Sequence, residues 1–103
     1  MGEAQPDTGQ GMSTQIFRDE VVRVSRHTLA PGETTGEHHH EFPYVVVPIF
    51  GGDVRVDSSS GKDFVSLVDE VPYARQSGAV HSLTNISLKT IDFVEIEFLP
   101  STD

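Results

Sequence analysis

The chain contains no cysteine and no tryptophan, and it has few basic residues. The lack of cysteine removes thiolate metal ligands, thiol nucleophiles and disulfides together, and it fits the cytoplasmic location that we expect. Only 7 Lys and Arg stand against 16 Asp and Glu, so the formal net charge is -9. Such an acidic chain is poorly suited to nucleic acid or to an anionic membrane surface, and we expect neither as a partner.

Long apolar runs are also missing. The longest, "YVVVPIF", is far too short to span a bilayer. The N-terminal "MGEAQPDTGQGMSTQ" is polar and acidic, unlike a secretion signal or a transit peptide. We therefore predict a flexible tail over residues 1–14, followed by one domain over residues 15–103.

Short β-type runs separated by glycine, proline and serine make up the rest of the chain. The candidate strands are "QIF", "VVRVSRHTL", "EHHH", "YVVVPIF", "DVRVD", "DFVSLV", "VPYAR", "VHSLTNIS" and "KTIDFVEIEFL". "DVRVD" and "DFVEIEFL" alternate apolar and polar residues, as half-buried strands do, and no stretch shows a helical period. The pattern predicts an all-β domain: a sandwich, jelly roll or barrel.

The segment "GEHHHEFPYVVVPIFGG" holds three of the five histidines. Because side chains alternate along a strand, His38 and His40 would project together, with Cα atoms about 6.6 Å apart, while His39 points away. On a helix the same pair would diverge and could not chelate an ion. Tyr44 would continue on the face of His38 and His40 unless a bulge intervenes at Pro43.

A metal site of this kind needs a third ligand, and His81, which follows the glycine turn of "QSGAV", is the candidate. Three neutral imidazoles suit a divalent transition metal such as Fe, Ni, Co, Cu, Mn or Zn, and they leave coordination positions open. The competing interpretations of the segment are a remnant of an affinity tag and an exposed histidine-rich loop. His27, on a long predicted strand, is interpreted as a packing or surface histidine.

The spacing of these histidines resembles the first motif of the cupin superfamily. That motif is glycine, five residues, His-x-His, three or four residues, glutamate, six residues and glycine. Gly32, His38, His40 and Gly51 match it at every interval. Tyr44 stands where the family has its glutamate ligand.

The second cupin motif ends in Pro-x-Gly, two residues, histidine, three residues and asparagine. Gly78, His81 and Asn85 match these positions. Gln76 replaces the proline, and Glu70 replaces the glycine that begins the motif.

The resemblance covers roughly residues 20–99 and implies a cupin-type jelly-roll barrel (double-stranded β-helix) that holds a divalent metal through His38, His40 and His81. It also implies a homodimer, which a long exposed edge strand such as residues 15–29 would favour. More narrowly, "HTLAPGETTGEHHHEFPYVVVPI" and "PYARQSGAVHSLTN" resemble the small cupins named beta-alanine degradation proteins. In lacking the glutamate ligand, the predicted site resembles that of the three-histidine cupins, such as the thiol, diketone and gentisate dioxygenases.

Three histidines without a glutamate leave the charge of a divalent ion uncompensated, so we expect an anionic small-molecule ligand. Because the reference pKa of tyrosine is about 10, Tyr44 is neutral at physiological pH; it either hydrogen-bonds a metal-bound oxygen, which would make it catalytic, or only packs. Tyr73 and Arg75 are candidate substrate-binding residues. Arg75 would clamp a carboxylate bidentately, unless it is simply a surface arginine.

From these features we predict a metal-dependent enzyme, dioxygenase-like, that acts on a small organic acid. Two alternatives stay open at this point. One is a non-catalytic cupin that binds or senses a small molecule, and the other is an isomerase or lyase that uses the ion only as a Lewis acid.

Overall fold

The computed structural model describes residues 9–101, which form nine strands in two antiparallel sheets. The strands are β1 (Met12–Arg18), β2 (Val22–Leu29), β3 (His38–His39), β4 (Tyr44–Phe50), β5 (Gly52–Ser58), β6 (Gly61–Leu67), β7 (Tyr73–Arg75), β8 (Val80–Asn85) and β9 (Ile91–Phe98). Each predicted run overlaps one of them, so the all-β prediction is confirmed. Within residues 9–101 no helix has the length and apolar character that crossing a membrane requires.

The two sheets enclose one apolar core. The five-stranded sheet has the order β1-β2-β9-β4-β7, and the four-stranded sheet has the order β3-β8-β5-β6. The core combines Leu29, Ile91 and Phe93 of the first sheet with Val54 and Leu83 of the second, all of them buried. The arrangement is a jelly roll, in which the inward faces of both sheets meet.

The inward face of β9 changes from apolar to acidic along its length. Ile91 and Phe93 fill one half of the interior, and Glu95 and Glu97 occupy the other half, also buried. On β4 the cross-strand neighbour of Glu97 is Tyr44. A buried face that carries two carboxylates needs partners for their charges, and this half of the barrel holds the histidines.

The N-terminal strands differ from the expected single edge strand over residues 15–29. A turn at Asp19 ends β1, because its carboxylate Oδ1 accepts hydrogen bonds from the backbone N–H groups of Val21 and Val22, each at 2.8 Å. Of these two strands only β1 lies at an edge of the sheet, and β2 pairs with β9 on its other side. Of the predicted tail, residues 1–8 lie outside the described residues, and Met12–Thr14 already pair with β2.

Glu70 has a backbone conformation that favours glycine. Its φ is 62°, in the left-handed region, and it stands at the glycine that begins the second motif. The backbone is held there because the Glu70 N–H donates to the Pro48 carbonyl at 2.9 Å. An L-residue in this region is strained by about 1–2 kcal/mol.

We predict that Glu70→Gly stabilises the protein. Relief of the strain outweighs the backbone entropy that glycine loses on folding, about 0.5–1 kcal/mol, and leaves a net gain of about 0.5–1 kcal/mol in the free energy of unfolding. Glu70→Ala is the matched control, because alanine keeps the Cβ and hence the strain. The measurement is urea unfolding. Equal unfolding midpoints for Glu70→Gly and Glu70→Ala would show that the backbone at Glu70 is not strained.

Candidate metal centre

Backbone pairing between two short segments brings the three histidines together. In the β3–β8 ladder His38 lies directly opposite His81. His40 follows β3 and is fixed at both ends: its N–H donates to the Ala79 carbonyl and its carbonyl accepts from the Gly78 N–H, each at 2.8 Å. Gly78 makes this turn with φ of 108°, which explains the glycine of the second motif.

The imidazoles converge inside the barrel. Candidate ligand atoms of His38, His40 and His81 all lie within 4.8 Å of one another. The three pairs of ring centroids are separated by 4.7 to 5.1 Å. His39 is exposed, as strand alternation requires. The cluster therefore fits neither an affinity-tag remnant nor an exposed loop.

Two of the imidazole nitrogens have the environment expected of metal ligands. The Nδ1–H of His38 donates to the Gly36 carbonyl at 2.9 Å, which leaves the lone pair on Nε2 and orients the ring. Nε2 of His38 and Nε2 of His40 are buried and have no hydrogen-bond partner. Because buried polar atoms are otherwise paired, these two nitrogens fit a site for a divalent transition metal.

The environment favours the neutral, metal-binding form of His40 and His81. Burial lowers the pKa of His81 to about 4, and repulsion from His38 and His40 adds to the shift, while Glu95 opposes it. Burial also lowers the pKa of His40, although Glu95 acts in the opposite direction.

Tyr44 contacts the cluster by a different route from the one expected. β3 and β4 belong to different sheets, so Tyr44 does not continue the strand of His38 and His40. Its buried ring nevertheless faces the same interior and stacks on His40, with ring centroids 3.8 Å apart and planes inclined by 14°. Burial is the largest of the effects that raise the pKa of Tyr44 to about 12, so the phenol is neutral.

The substrate-binding candidates lie in one cavity beside the cluster. The cavity has a volume of about 190 Å³. It is lined by Tyr44, Val54, Val56, Asp63, Val65, Tyr73, Arg75, His81 and Leu83. Arg75 is exposed, with its guanidinium carbon 4.5 Å from the centroid of the Tyr73 ring. The structure thus gathers Tyr44, Tyr73 and Arg75 around His81.

Glu95 is a residue that the sequence analysis missed. Its side chain is only 9% exposed. Oε1 lies 2.9 Å from Nε2 of His27, and Oε2 lies 3.5 Å from Nε2 of His40. His27 in turn stacks on Phe93 and bonds through Nδ1 to the Ser13 hydroxyl at 2.7 Å. The signal in the sequence was the alternation of "IDFVEIEF", which puts an acid on the buried face.

The Glu95 carboxylate is ionised at neutral pH. Burial by itself raises the pKa of Glu95, but the hydrogen bond with His27 and the attraction of the surrounding histidines outweigh it and lower the pKa. The site therefore contains a negative charge close to the histidine cluster.

Asn85, the last residue of the second motif, has a structural role. It is fully buried, and its amide group donates to the carbonyls of Leu29 and Lys89 at 2.8 and 2.7 Å. Its side-chain oxygen accepts from both the N–H and the hydroxyl of Ser87. All the bonding capacity of the amide group is thus used to tie β8 to β2 and to the loop before β9.

Known proteins are similar to this chain in sequence and in fold, although no family model matches it. The beta-alanine degradation protein BauB of Pseudomonas aeruginosa is 35% identical over 85 residues, which are 82% of this chain and 88% of that protein. A cupin domain from Bordetella pertussis is 33% identical and superimposes with a TM-score of 0.85, covering 88% of this chain and 95% of that domain. The chain belongs to the cupin superfamily. A cupin superfamily protein from Desulfitobacterium hafniense shares the fold at 15% identity, with a TM-score of 0.67 and coverage of 88% and 79%.

We predict that His38→Ala, His40→Ala or His81→Ala each abolishes stoichiometric metal binding, because each removes one of three converging nitrogens. His39→Ala is the matched control, since it removes an adjacent but exposed imidazole and should leave the metal content unchanged. The measurement is elemental analysis of protein purified without a nickel column and reloaded with zinc. Full occupancy in His81→Ala would refute the three-ligand site.

We also predict a pH dependence of the metal-free protein. The folded-state pKa of His81, about 4, lies below the ordinary value of about 6.5, so the unfolded chain binds protons more readily in this interval. The contribution of His81 to stability is therefore complete above about pH 6.5 and declines as the pH falls towards 4. Urea unfolding across this range should show a shallower decline in His81→Gln, and identical slopes would contradict the assignment.

Proposed function

We propose that this cupin is a metal-dependent enzyme, dioxygenase-like, that acts on a small organic acid. The observation that carries the proposal is the pair of buried, unpartnered imidazole nitrogens beside a cavity that also contains a phenol and a guanidinium group. A divalent transition metal held by His38, His40 and His81 would supply Lewis-acid chemistry and, if it is redox-active, electron transfer.

The residues of the cavity support a small organic acid as the substrate. Arg75 offers a fork of N–H donors that suits a carboxylate, and the Tyr73 ring beneath it limits the orientation of the guanidinium. Tyr44 presents a neutral hydroxyl, which can donate a hydrogen bond to a substrate oxygen beside His40. A volume of about 190 Å³ suits a short acid, in keeping with the beta-alanine degradation named for the Pseudomonas relative.

A non-catalytic cupin that binds or senses such an acid is the second candidate. The high pKa of Tyr44 favours it, because a neutral phenol is a poor proton acceptor at physiological pH. An isomerase or lyase needs a base for proton transfer. The acid that lines the cavity, Asp63, is exposed, so this candidate has less support.

The experiment is oxygen consumption by Fe(II)-loaded protein with beta-alanine and a panel of other short carboxylates. Uptake of O₂ that depends on one acid, with a matching oxidised product, is the expected result. Conversion of an acid without O₂ would instead support the isomerase or lyase, and binding without conversion would support the sensor. Zinc-loaded protein is the control, since zinc fills the site without redox chemistry.

We predict that Tyr44→Phe lowers turnover about 100-fold while the metal content stays unchanged, which is the size of effect typical of losing one donor to a reacting oxygen. Phenylalanine keeps the ring that stacks on His40 and removes only the hydroxyl. Steady-state kinetics with the best substrate of the panel would show the loss in kcat. An unchanged kcat would mean that Tyr44 only packs.

The homodimer and the cytoplasmic location belong to the same proposal. The lack of cysteine supports the cytoplasmic location.

The outward face of the five-stranded sheet supports the dimer. Its valine and isoleucine side chains are only half-buried, and two phenylalanines at its margin are exposed. These residues are Phe17, Val22, Val24, Val45, Val47, Val94, Ile96 and Phe98. The charged residues of the face, Arg26 and Asp92, pair with each other, so two copies with net charges of -9 would meet there without opposing unpaired acids.

We predict that the protein elutes at twice its chain mass in size-exclusion chromatography with light scattering and that Val24→Glu converts it to a monomer. The added carboxylate would lie unpaired inside the dimer interface. Leu88→Glu is the control, because Leu88 is 99% exposed in the loop before β9. A monomeric wild-type protein would refute the dimer.

A further inference from the structure

We propose that Glu95, on the last strand of the barrel, is the fourth protein ligand of the metal centre. It would supply the carboxylate that the first motif lacks at Tyr44. This inference rests on the proposed three-histidine site and adds one residue to it. The juxtaposition that points to it is the 3.5 Å separation between Oε2 of Glu95 and the unpartnered Nε2 of His40.

The separation has the size expected of two atoms that bind one ion. Ligand atoms about 2.0–2.1 Å from a tetrahedral ion lie about 3.4 Å apart. It is also too long for a hydrogen bond between the two groups. A carboxylate oxygen and an unpartnered imidazole nitrogen this close in a buried site favour a cation between them.

The remaining bonds of Glu95 leave Oε2 available. Oε1 is held by Nε2 of His27 at 2.9 Å, and His27 is fixed by the Ser13 hydroxyl and by stacking on Phe93. A carboxylate anchored through one oxygen presents the other in a defined direction. Metal-ligating carboxylates are commonly hydrogen-bonded in this way by outer residues.

The sheet register explains how a carboxylate on β9 can take the place of one at position 44 on β4. Tyr44 of β4 and Glu95 of β9 lie on adjacent strands and face the same interior, because Val46 pairs with Glu95 and Tyr44 pairs with Glu97. They are thus diagonal neighbours, a distance that long side chains span. Moving the carboxylate from β4 to β9 keeps one negative charge in the site and frees position 44 for a ring that stacks on His40.

Charge makes the arrangement favourable. Three neutral imidazoles leave two positive charges on a divalent ion in a barrel interior, and one ionised carboxylate halves this excess. Glu97, the other buried acid of this face, is not available for the same role. Its two oxygens accept bonds from Arg23 at 2.8 and 3.1 Å.

The experiment is the affinity for Co²⁺, measured by competition with a chelator and by the visible spectrum of the bound ion. Glu95→Gln should lower the affinity by more than about 100-fold and change the spectrum, since loss of an outer partner costs only about 10–100-fold. Glu97→Gln is the matched control, and its affinity should equal that of the wild type. Tyr44→Glu introduced into Glu95→Gln should restore tight binding, because it returns a carboxylate to the motif position.

His27→Gln separates ligation from anchoring, because it breaks the hydrogen bond to Glu95 but keeps the carboxylate; its loss of affinity should be no more than about 100-fold. Circular dichroism would verify the fold of every variant. A Glu95→Gln protein with wild-type affinity, or with a loss of only about 10–100-fold, would overturn the proposal. If His81→Ala abolishes binding in the same series, the three-histidine site stands and only the role of Glu95 fails. If His81→Ala keeps the metal, the proposed function itself fails.

Discussion

Desolvation of the three imidazoles is the constraint on which the rest of the site depends. A histidine in water near neutral pH is partly protonated. Burial lowers the pKa of His81 to about 4 and also lowers the pKa of His40. Burial also leaves Nε2 of His38 and Nε2 of His40 without hydrogen-bond partners. Such nitrogens destabilise the fold unless they bind something, so the apolar packing that forms the barrel also makes the cluster ready for a cation.

Backbone pairing then determines the geometry of the cluster. The β3–β8 ladder puts His38 opposite His81, and two backbone hydrogen bonds to the Gly78 turn hold His40 beside them. No long or flexible connection lies between the ligands and the ladder. The site is therefore built on the scaffold rather than on a loop, which favours the defined ligand positions that metal binding requires.

Much of this organisation was predictable from the sequence, for physical reasons that differ between elements. Two-residue periodicity predicted the strands, and the same alternation predicted that His38 and His40 project together. His81 was predicted from the glycine turn before it and from the resemblance to the second cupin motif, because the β3–β8 pairing that brings it opposite His38 is not local. Glu95 was not predicted, since its partner His27 is 68 residues away in the chain and only the β2–β9 register brings them together. The runs "QIF" and "VVRVSRHTL" were predicted separately, but the turn that keeps them from forming one edge strand depends on the side chain of Asp19, which apolar periodicity does not reveal.

The interior and the exterior of this cupin have opposite electrostatic requirements. The chain has a net charge of -9, and most of the acids within residues 9–101 are exposed, where they favour solubility. The buried acids Glu95 and Glu97 each have a basic partner, His27 and Arg23. Of the two, only Glu95 also approaches the histidine cluster, so the negative charge inside the barrel is concentrated where a cation would bind.

X-ray absorption spectroscopy of the zinc-loaded protein tests the central claim, that histidine nitrogens of this cluster bind a metal, most directly. The account predicts a first shell that includes three imidazole nitrogens at about 2.0–2.1 Å, with the multiple scattering that imidazole rings produce. A shell of oxygen atoms with no imidazole scattering would contradict it, because the metal would then be bound by surface carboxylates and not inside the barrel.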